Sequence, residues 1–392
     1  MPNEQDYTLI DTPQALDQFY EESKDISWMC FDTEFVGEKR YQTLLCLIQV
    51  ATPDGNYIID PLALPDIDPF LDMVTDPELC KITHAGENDY RLLYNSYGIL
   101  PRNIFDTQVA AGFVGYKYPI SFNKLVASEL DMHLKKAYAV ADWTERPFRQ
   151  KSLGYALNDV LPLYDLYDSL SAKLDQLGRR DWADNEFARL EQEDAYLKKP
   201  HTEALNTNLI RSLKMRDQVF LIRLYEWRRS RAEEKNYSKE MILPSRMIGH
   251  IVKSVRAGMD GLRQNRRLQP KFVGRYGEAL VSMYNDPVTA EEKKILDEIP
   301  TETQETPREE ILTEQLFLLM KYRCLEENIA PSLLISRNQI RQMRTDSKLR
   351  DDLIGDGWRR TFLGEEFMYW LENINKLRLD IDGGTIKIRA EE

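Results

Sequence analysis

The chain has 392 residues, of which 30% are charged and 42% hydrophobic, the balance of a globular protein with two or three domains rather than a disordered one. Four scattered cysteines and only four histidines argue against a zinc site, a disulfide framework and a histidine-rich metal site. The N-terminal residues lack the features of a signal peptide, and no window is apolar enough for a membrane span. The sequence therefore predicts a cytoplasmic protein without a membrane partner.

The net charge of −13 at first argues against a nucleic-acid partner, but the charge is unevenly distributed. Residues 211–275 contain 17 Lys and Arg against 6 Asp and Glu, a local balance of +11 that leaves −24 for the rest of the chain. Exposed charges act mainly within a Debye length of about 8 Å, so a basic block can bind phosphates inside an acidic protein. Its aromatic residues fit a stacking platform for single strands, but they fit the core of a solvated basic helix equally well.

The first half of the chain predicts a mixed α/β domain. Residues 28–31 form an apolar strand, and residues 44–62 resemble two strands joined by a turn at Pro53, Asp54 and Gly55. A short apolar strand follows at 79–86. Helical patterns cover 66–78, 88–98 with Gly98 as C-cap, 105–115, 122–132 and 152–177. Early strands and late helices predict one sheet packed by helices.

The second half of the chain is predicted to be helical. Pro200 and the polar residues after it mark a boundary, and residues 211–236 have helical periodicity. A polar, proline-containing stretch at 286–309 has the composition of a linker, and a second helical region covers about 310–380. A strand is predicted only in the last dozen residues. The predicted domains are residues 1–205, 206–290 and 291–392.

Acidic residues at three places are candidate metal ligands. Asp32 and Glu34 end the apolar strand WMCF two residues apart, so their side chains point to the same face of the strand. Burying like charges is costly unless a partner such as a hard cation neutralises them, although the strand could also simply emerge into solvent. Asp89 begins a helix after a strand and a glycine turn. Tyr155 and Asp159 lie four apart, on one face of a helix.

Together these segments resemble a known family. FDTEF, HAGENDYRLLY and YALNDV are similar to the three motifs of the DEDD exonucleases in their tyrosine-containing branch. FDTQVAAGFVG and ADWTERPF resemble segments typical of ribonuclease D. The region that begins RDQVFLIRLYEW resembles the helical HRDC domain shared with RecQ-type helicases, and IGDGWRRTFLGEEFMYWL resembles the end of a second such domain.

The resemblance implies a ribonuclease H-like α/β exonuclease domain followed by two all-α HRDC-type domains. It implies a monomeric 3′–5′ exoribonuclease that uses two divalent ions, Mg²⁺ or Mn²⁺, on tRNA precursors and other small structured RNAs. In this family Asp32 would bridge both ions, Glu34 and Asp159 would hold the ion beside the nucleophile, and Asp89 would support the second ion. Tyr155 would hydrogen-bond the attacking water. Two alternatives are a DNA 3′–5′ exonuclease of the same superfamily and a non-catalytic RNA-binding scaffold.

Further residues are candidates for contact with the substrate. Their types suit stacking or phosphate binding, and Asp106 in FDTQ is predicted to be a helix N-cap or a buried hydrogen-bonding residue rather than a fifth ligand. The substrate candidates are Phe35, His84, Trp143, Arg146, Arg228 and Arg229. For Phe35 the alternative is packing, and for His84 it is a structural role near a turn.

Overall fold

The chain folds into two units. The computed structural model describes residues 6–134, 142–197, 200–299, 305–343, 346–355, 357–373, 376–382 and 385–390. The first unit comprises Met1–Glu34, Leu45–Tyr196 and Thr303–Glu392, and the second comprises Phe35–Leu44 and Leu197–Glu302. This division differs from the predicted domains 1–205, 206–290 and 291–392. The C-terminal region belongs to the first unit, and the segment that follows Glu34 belongs to the second.

A six-stranded sheet forms the centre of the first unit. Its strands are β1 (Thr8–Ile10), β2 (Trp28–Val36), β3 (Leu44–Thr52), β4 (Gly55–Ile59), β5 (Cys80–Thr83) and β6 (Ile104–Asp106). The strand order is β1-β4-β3-β2-β5-β6. β1 pairs parallel with β4, β5 pairs parallel with both β2 and β6, and β3 pairs antiparallel with β4. The sheet is therefore mixed, which confirms the predicted fold class.

Helices flank this sheet. They are α1 (Pro13–Glu22), α2 (Asp68–Thr75), α3 (Glu87–Tyr97), α4 (Thr107–Phe113), α5 (Phe122–Leu130), α6 (Gln150–Asn158), α7 (Leu163–Gln176) and α8 (Arg180–Leu190). Gly98 ends α3 in the left-handed conformation, as predicted, with a φ of 72°. The helix predicted over 105–115 starts later, because Phe105 and Asp106 belong to β6. The helix predicted over 152–177 is two helices, separated around Pro162.

The C-terminal region shares the core of the sheet domain. It contains α17 (Pro307–Glu326), α18 (Pro331–Leu334), α19 (Arg337–Met343), α20 (Ser347–Leu353), α21 (Trp358–Glu372) and the hairpin of β7 (Leu377–Asp382) and β8 (Thr385–Ala390). The ring centroids of Trp358 and Phe113 are 4.8 Å apart, and Trp358 Nε1 donates to Glu186 Oε1 at 2.7 Å. A Cβ added to Gly112 would lie 2.5 Å from Leu333 Cδ1, so this close packing requires glycine. One continuous hydrophobic core results.

The second unit has a hydrophobic core of its own. Its helices are α9 (Thr202–Leu205), α10 (Asn208–Arg211), α11 (Met215–Lys235), α12 (Lys239–Ile242), α13 (Ser245–Ser254), α14 (Gly258–Gln264), α15 (Pro270–Asn285) and α16 (Ala290–Asp297). Segment 35–44 joins it, with Gln42 N donating to Asn236 Oδ1 at 3.0 Å and Ser238 N donating to Lys39 O at 3.1 Å. The linker predicted over 286–309 contains α16, which a capping box between Thr289 and Glu292 starts.

None of the helices in the described parts of the chain combines the length and the apolar character that crossing a bilayer requires.

Candidate active site

Two carboxylates, Asp32 and Glu34, lie on β2, which continues past them to Val36 instead of ending at them as predicted. Asp32 and Glu34 are partly exposed, whereas Thr33 between them is buried, as the alternation of a strand requires. Burial raises the pKa of Asp32 well above its usual range, and the negative charges of Asp89, Asp159 and Glu34 raise it further. Burial and the charges of Asp159 and Asp89 raise the pKa of Glu34 to about 8. The carboxyl groups of all three motifs are therefore close enough to repel one another.

Asp89 reaches this cluster from the first turn of α3 and is only 7% exposed. The Thr33 hydroxyl donates a hydrogen bond to Asp89 Oδ1. Burial raises the pKa of Asp89 to about 6, and the hydrogen bond from Thr33 opposes that shift. The helix starts immediately after Gly86, where an added Cβ would lie 2.5 Å from Thr83 Oγ1, so only glycine allows this tight approach. The turn thereby brings Asp89 next to β2.

The shape of that turn depends on Asp106, the last residue of β6. Its carboxylate accepts hydrogen bonds from Ala85 N at 3.1 Å and Gly86 N at 3.0 Å. It also caps α4 by accepting from Gln108 N at 2.8 Å and from Val109 N at 3.2 Å. The prediction that Asp106 is an N-cap and a buried hydrogen-bonding residue is confirmed.

Tyr155 and Asp159 enter the cluster from the end of α6. Burial raises the pKa of Asp159 to about 6, and a hydrogen bond donated by the Tyr155 hydroxyl opposes that shift. Burial and the negative charges of Asp159 and Glu34 raise the pKa of Tyr155 above its usual range. The hydroxyl of Tyr155 is therefore neutral at physiological pH. It donates a hydrogen bond to Asp159 and lies near the charges of Glu34 and Asp32.

The donor set of this cluster fits divalent cations. Its four carboxylates supply only oxygen ligands, and none of them forms an ion pair with another residue in the described ranges. Hard cations such as Mg²⁺ and Mn²⁺ prefer such ligands and would remove the repulsion that raises these pKa values. Within the described ranges, no three His, Cys, Asp or Glu side chains already converge in a metal-binding arrangement. The four carboxylates raise one another's pKa values through their charges, but they do not already form a closed metal-binding arrangement.

The stretch of the chain that contains all three motifs is similar to known exonucleases. A family model described as 3′–5′ exonuclease matches residues 7–175, and an HRDC domain model matches residues 217–284. The ribonuclease D of Gluconacetobacter diazotrophicus is 29% identical over 97% of this chain and 96% of its own length. That of Sphingobium indicum is 29% identical over 97% of this chain and 98% of its own. Along almost its whole length, this chain is therefore similar to ribonuclease D.

Solved structures agree on the fold. The crystal structure of Escherichia coli RNase D, described as an exoribonuclease involved in structured RNA processing, has a TM-score of 0.79 and 24% identity, over 94% of this chain and 99% of that one. A protein from Bifidobacterium adolescentis has a TM-score of 0.68 and 20% identity, over 93% of this chain and 97% of that one. An exonuclease domain followed by a helical HRDC domain is thus the shared architecture.

His84, a candidate for substrate contact, has a hydrogen-bonding partner at each ring nitrogen. Nδ1 lies 2.9 Å from Thr107 Oγ1, and Nε2 lies 3.0 Å from Ile120 O. Burial lowers the pKa of the imidazole, which favours the neutral form. These contacts give His84 a structural task between β5, α4 and the segment before α5.

Arg146 and Trp143, also predicted to contact RNA, pack inside the exonuclease domain. Arg146 Nη2 donates to Asp60 Oδ1 at 2.6 Å and to Cys46 O at 2.8 Å, while its Nε donates to Asp60 Oδ2 at 2.5 Å. Trp143 is 8% exposed, and its carbonyl accepts a further bond from Arg146 at 2.7 Å. These hydrogen bonds therefore hold the ADWTERPF segment against β3 and the end of β4. The guanidinium donors of Arg146 are used within the protein.

The remaining candidates divide by exposure. Arg228 is 2% exposed, and it donates to Lys239 O at 3.0 Å and to Glu240 Oε1 at 2.5 Å, so it is not an accessible RNA contact. This corrects the prediction that Arg228 contacts the substrate, which was based on residue type and did not take burial into account. Arg229 is exposed, and Phe35 is 42% exposed. Both remain predictions.

Two residues of the site were missed in the sequence. Thr33 holds Asp89, as described above, and Gln49 Nε2 in β3 donates to Asp32 Oδ2 at 3.2 Å. The signal for Gln49 was present, because it is a single amide within the otherwise apolar run LLCLIQVA. A polar side chain in a buried central strand needs a partner, and that need points to a functional neighbour.

Proposed function

We propose that this chain is a 3′–5′ exoribonuclease that removes 5′-monophosphate nucleotides one at a time from RNA 3′ ends by two-metal-ion hydrolysis. The observation that carries this proposal is the electrostatic coupling of Asp32 with Glu34, Asp89 and Asp159. Four mutually repelling carboxylates cost stability unless positive charge enters among them, and a pair of divalent ions supplies that charge. The similarity to ribonuclease D over almost the whole chain supports the same reaction.

The carboxylates would share the ions by position. Asp32 would bridge both, Glu34 and Asp159 would hold the ion beside the nucleophile, and Asp89 would support the other. Two such ions, Mg²⁺ or Mn²⁺, supply a nucleophilic water at neutral pH and stabilise the leaving 3′ oxygen. Thr33 orients Asp89 through its hydroxyl, so the ligands enter the reaction already positioned.

Tyr155 has a task of its own in this proposal. Its neutral hydroxyl donates to Asp159 and can accept from, or turn toward, the attacking water. A group that fixes the direction of attack lowers the activation free energy because the water no longer has to be ordered during the reaction. Tyr155 therefore orients the nucleophile rather than removing its proton, since its raised pKa keeps the hydroxyl protonated.

The proposed substrates are tRNA precursors and other small structured RNAs, bound by a monomer in the cytoplasm. The second unit offers positive charge for such RNAs, since its exposed cations include Arg229, Arg246, Lys253, Arg266, Arg267 and Lys271. Cations at the surface bind phosphates without reading sequence, which suits an enzyme that trims many 3′ ends. The region 291–392 is proposed as a second HRDC-like element by its sequence alone.

Matched RNA and DNA oligonucleotides labelled at the 5′ end test this function. With Mg²⁺ or Mn²⁺ we expect RNA to shorten in single-nucleotide steps with release of 5′-monophosphates, and with a chelator we expect no reaction. Asp32→Asn, purified in parallel, controls for contaminating nucleases.

The outcomes separate the alternatives. Degradation of DNA in preference to RNA would assign the chain to DNA 3′-end processing, because both substrates suit the same metal site and only the 2′-hydroxyl distinguishes them. RNA binding without any shortening, with either metal, would indicate a scaffold instead. Endonucleolytic products would overturn the 3′–5′ direction.

A further inference from the structure

Gln49 is an unusual residue for its place in the fold. It lies in the middle of β3, a strand whose neighbours are apolar, and its side chain is 0% exposed. β3 is the direct neighbour of β2 in the sheet. Burying an amide costs free energy unless its polar atoms are hydrogen-bonded, so an apolar residue would be the expected choice for the sheet alone.

The amide of Gln49 meets only half of its hydrogen-bonding needs in the protein. Nε2 donates to Asp32 Oδ2 at 3.2 Å, whereas Oε1 is buried without a hydrogen-bond partner among the described residues. If the amide were turned over, Oε1 would face an oxygen of Asp32, and in the ionised form that binds a cation two acceptors would repel each other. The carboxylate of Asp32 therefore fixes the orientation of the Gln49 amide. Among the described residues, the amide forms no other hydrogen bond.

We propose that Gln49 is a positioning residue that holds the Asp32 carboxylate in the orientation required by a bridging divalent ion, and thereby sets the affinity for metal. The inference rests on the proposed function, in which Asp32 is a metal ligand. A hydrogen bond to one carboxylate oxygen restricts rotation about the Cβ–Cγ bond and leaves the remaining lone pairs directed toward the ions. Outer residues of this kind change metal affinity by about 10–100-fold when they are removed.

The test uses the full-length protein and measures metal binding directly. Mn²⁺ is titrated by calorimetry, without RNA, into the wild type, Gln49→Met and Leu47→Met. Met matches the length and unbranched shape of Gln but has no donor. Leu47 is a matched control because it is equally buried on the same strand, two residues away and on the same face.

We expect Gln49→Met to bind Mn²⁺ about 10–100-fold more weakly than the wild type, with Leu47→Met unchanged. The Mn²⁺ concentration for half-maximal activity should rise by the same factor, while KM for RNA at saturating metal stays the same. The metal-free melting temperature should not fall, because a buried oxygen without a partner is removed. A general packing defect would lower the melting temperature and leave the metal affinity unchanged.

Two results would overturn the proposal. One is an Mn²⁺ affinity of Gln49→Met within about twofold of the wild type, well below the change that loss of such a residue produces. The other is unfolding of both Gln49→Met and Gln49→Leu when Leu47→Met folds, since the amide would then serve the sheet rather than Asp32. Asp32→Asn in the same titration keeps the two proposals apart. If it binds Mn²⁺ as well as the wild type, the metal site itself is wrong; if it does not, an unchanged Gln49→Met rejects only the role of Gln49.

Discussion

The carboxylate cluster of the first unit and the paired acids of the second unit have opposite pKa shifts. In the first unit, burial raises the pKa of Glu34 to about 8 and the pKa of both Asp89 and Asp159 to about 6. In the second unit, a hydrogen bond from Arg223 lowers the pKa of Glu292, and the pair is held at 2.6 Å. The cluster keeps four acids close together without cations, whereas Glu292 in the second unit, like Asp60 in the first, is paired with an arginine. Unpaired acids of this kind indicate a site whose positive charge comes from outside the chain.

The same comparison changes the meaning of the basic block. Its arginines were counted as possible phosphate contacts, but several are committed to the fold of the second unit. Arg223 binds Glu292, and Arg256 Nη2 lies 2.7 Å from Asp217 Oδ2. A local charge of +11 therefore overstates the number of cations that can reach RNA. Only the exposed cations should contribute to a salt-dependent affinity.

The largest effect is expected for Asp32→Asn, which removes an acid from the unpaired cluster. The amide has the same shape but is a far poorer ligand for a hard cation, so the single-turnover rate should fall roughly a thousandfold or more. Without metal the variant should be at least as thermostable as the wild type, because one repelling charge is gone. Near-normal turnover in a preparation free of other nucleases would refute the site.

Tyr155→Phe should have the next largest effect. It removes only the hydroxyl, so chemistry should slow by about a hundredfold, the lower end of what positioned groups contribute. RNA affinity should stay unchanged because no phosphate or base contact is lost. Single-turnover rates and equilibrium binding on the same oligonucleotide measure the two effects separately. An unchanged rate would assign Tyr155 to packing.

The pH dependence of stability should distinguish the two units in metal-free protein. The raised pKa of about 8 for Glu34 means that the folded state keeps a proton that the unfolded chain, with a pKa of 4.5, has lost. That stabilisation is complete below pH 4.5 and disappears as pH rises through about 8, so the first unit should melt at lower temperature at pH 8 than at pH 5. Glu292, with a lowered pKa, should give the second unit no such decline.

Calorimetry at several pH values with a chelator can test this, and saturating Mn²⁺ should abolish the decline. A domain of about 150–250 residues shifts its melting temperature by roughly 2–4 °C for each kcal/mol of stability lost, which is readily measured. A first unit whose melting temperature is constant, or rises, between pH 5 and pH 8 would contradict the raised pKa values.

Features set by a few neighbouring residues were predictable from the sequence. The strand that begins at Trp28, the cap formed by Asp106 and the left-handed Gly98 all follow from short-range patterns, and the structure confirms each as a local feature. The end of that strand was predicted too early, because it continues to Val36. The meeting of three motifs from distant parts of the chain did not follow from periodicity. It came from the resemblance to a family, since helix and strand patterns do not say which carboxylates will be neighbours.

Long-range packing explains the errors. Periodicity correctly predicted helices after residue 310, but it could not show that Trp358 packs on Phe113 and so completes the core of the first unit. Likewise, residue type made Arg146 a candidate for phosphate binding. In the structure its guanidinium is paired with Asp60, which lies far away in the sequence. Arginine forms bidentate pairs with both phosphates and carboxylates, so residue type does not show which of the two it binds. Burial decides between these partners.

The smallest expected effect concerns the exposed cations of the second unit. Arg266 and Arg267 are adjacent, exposed and outside any helix. If both contact phosphates, replacing both by Gln should reduce the slope of log affinity against log salt by about 0.7 per contact on a single strand and about 0.9 per contact on a duplex. Affinity should fall most at low salt, and cleavage of a short single-stranded RNA at saturating concentration should be unaffected, because the carboxylate cluster belongs to the first unit.

The matched control replaces Lys117 and Lys124, two exposed lysines of the first unit, by Gln. Both double variants lose two positive charges, so a general effect of net charge would change them equally. A difference confined to the Arg266 and Arg267 variant, measured on one folded tRNA over a series of salt concentrations, would locate phosphate contacts in the second unit. Equal slopes for the wild type and both variants would show that these arginines are merely solvated, and would leave the other exposed cations of that unit as the remaining candidates for RNA binding.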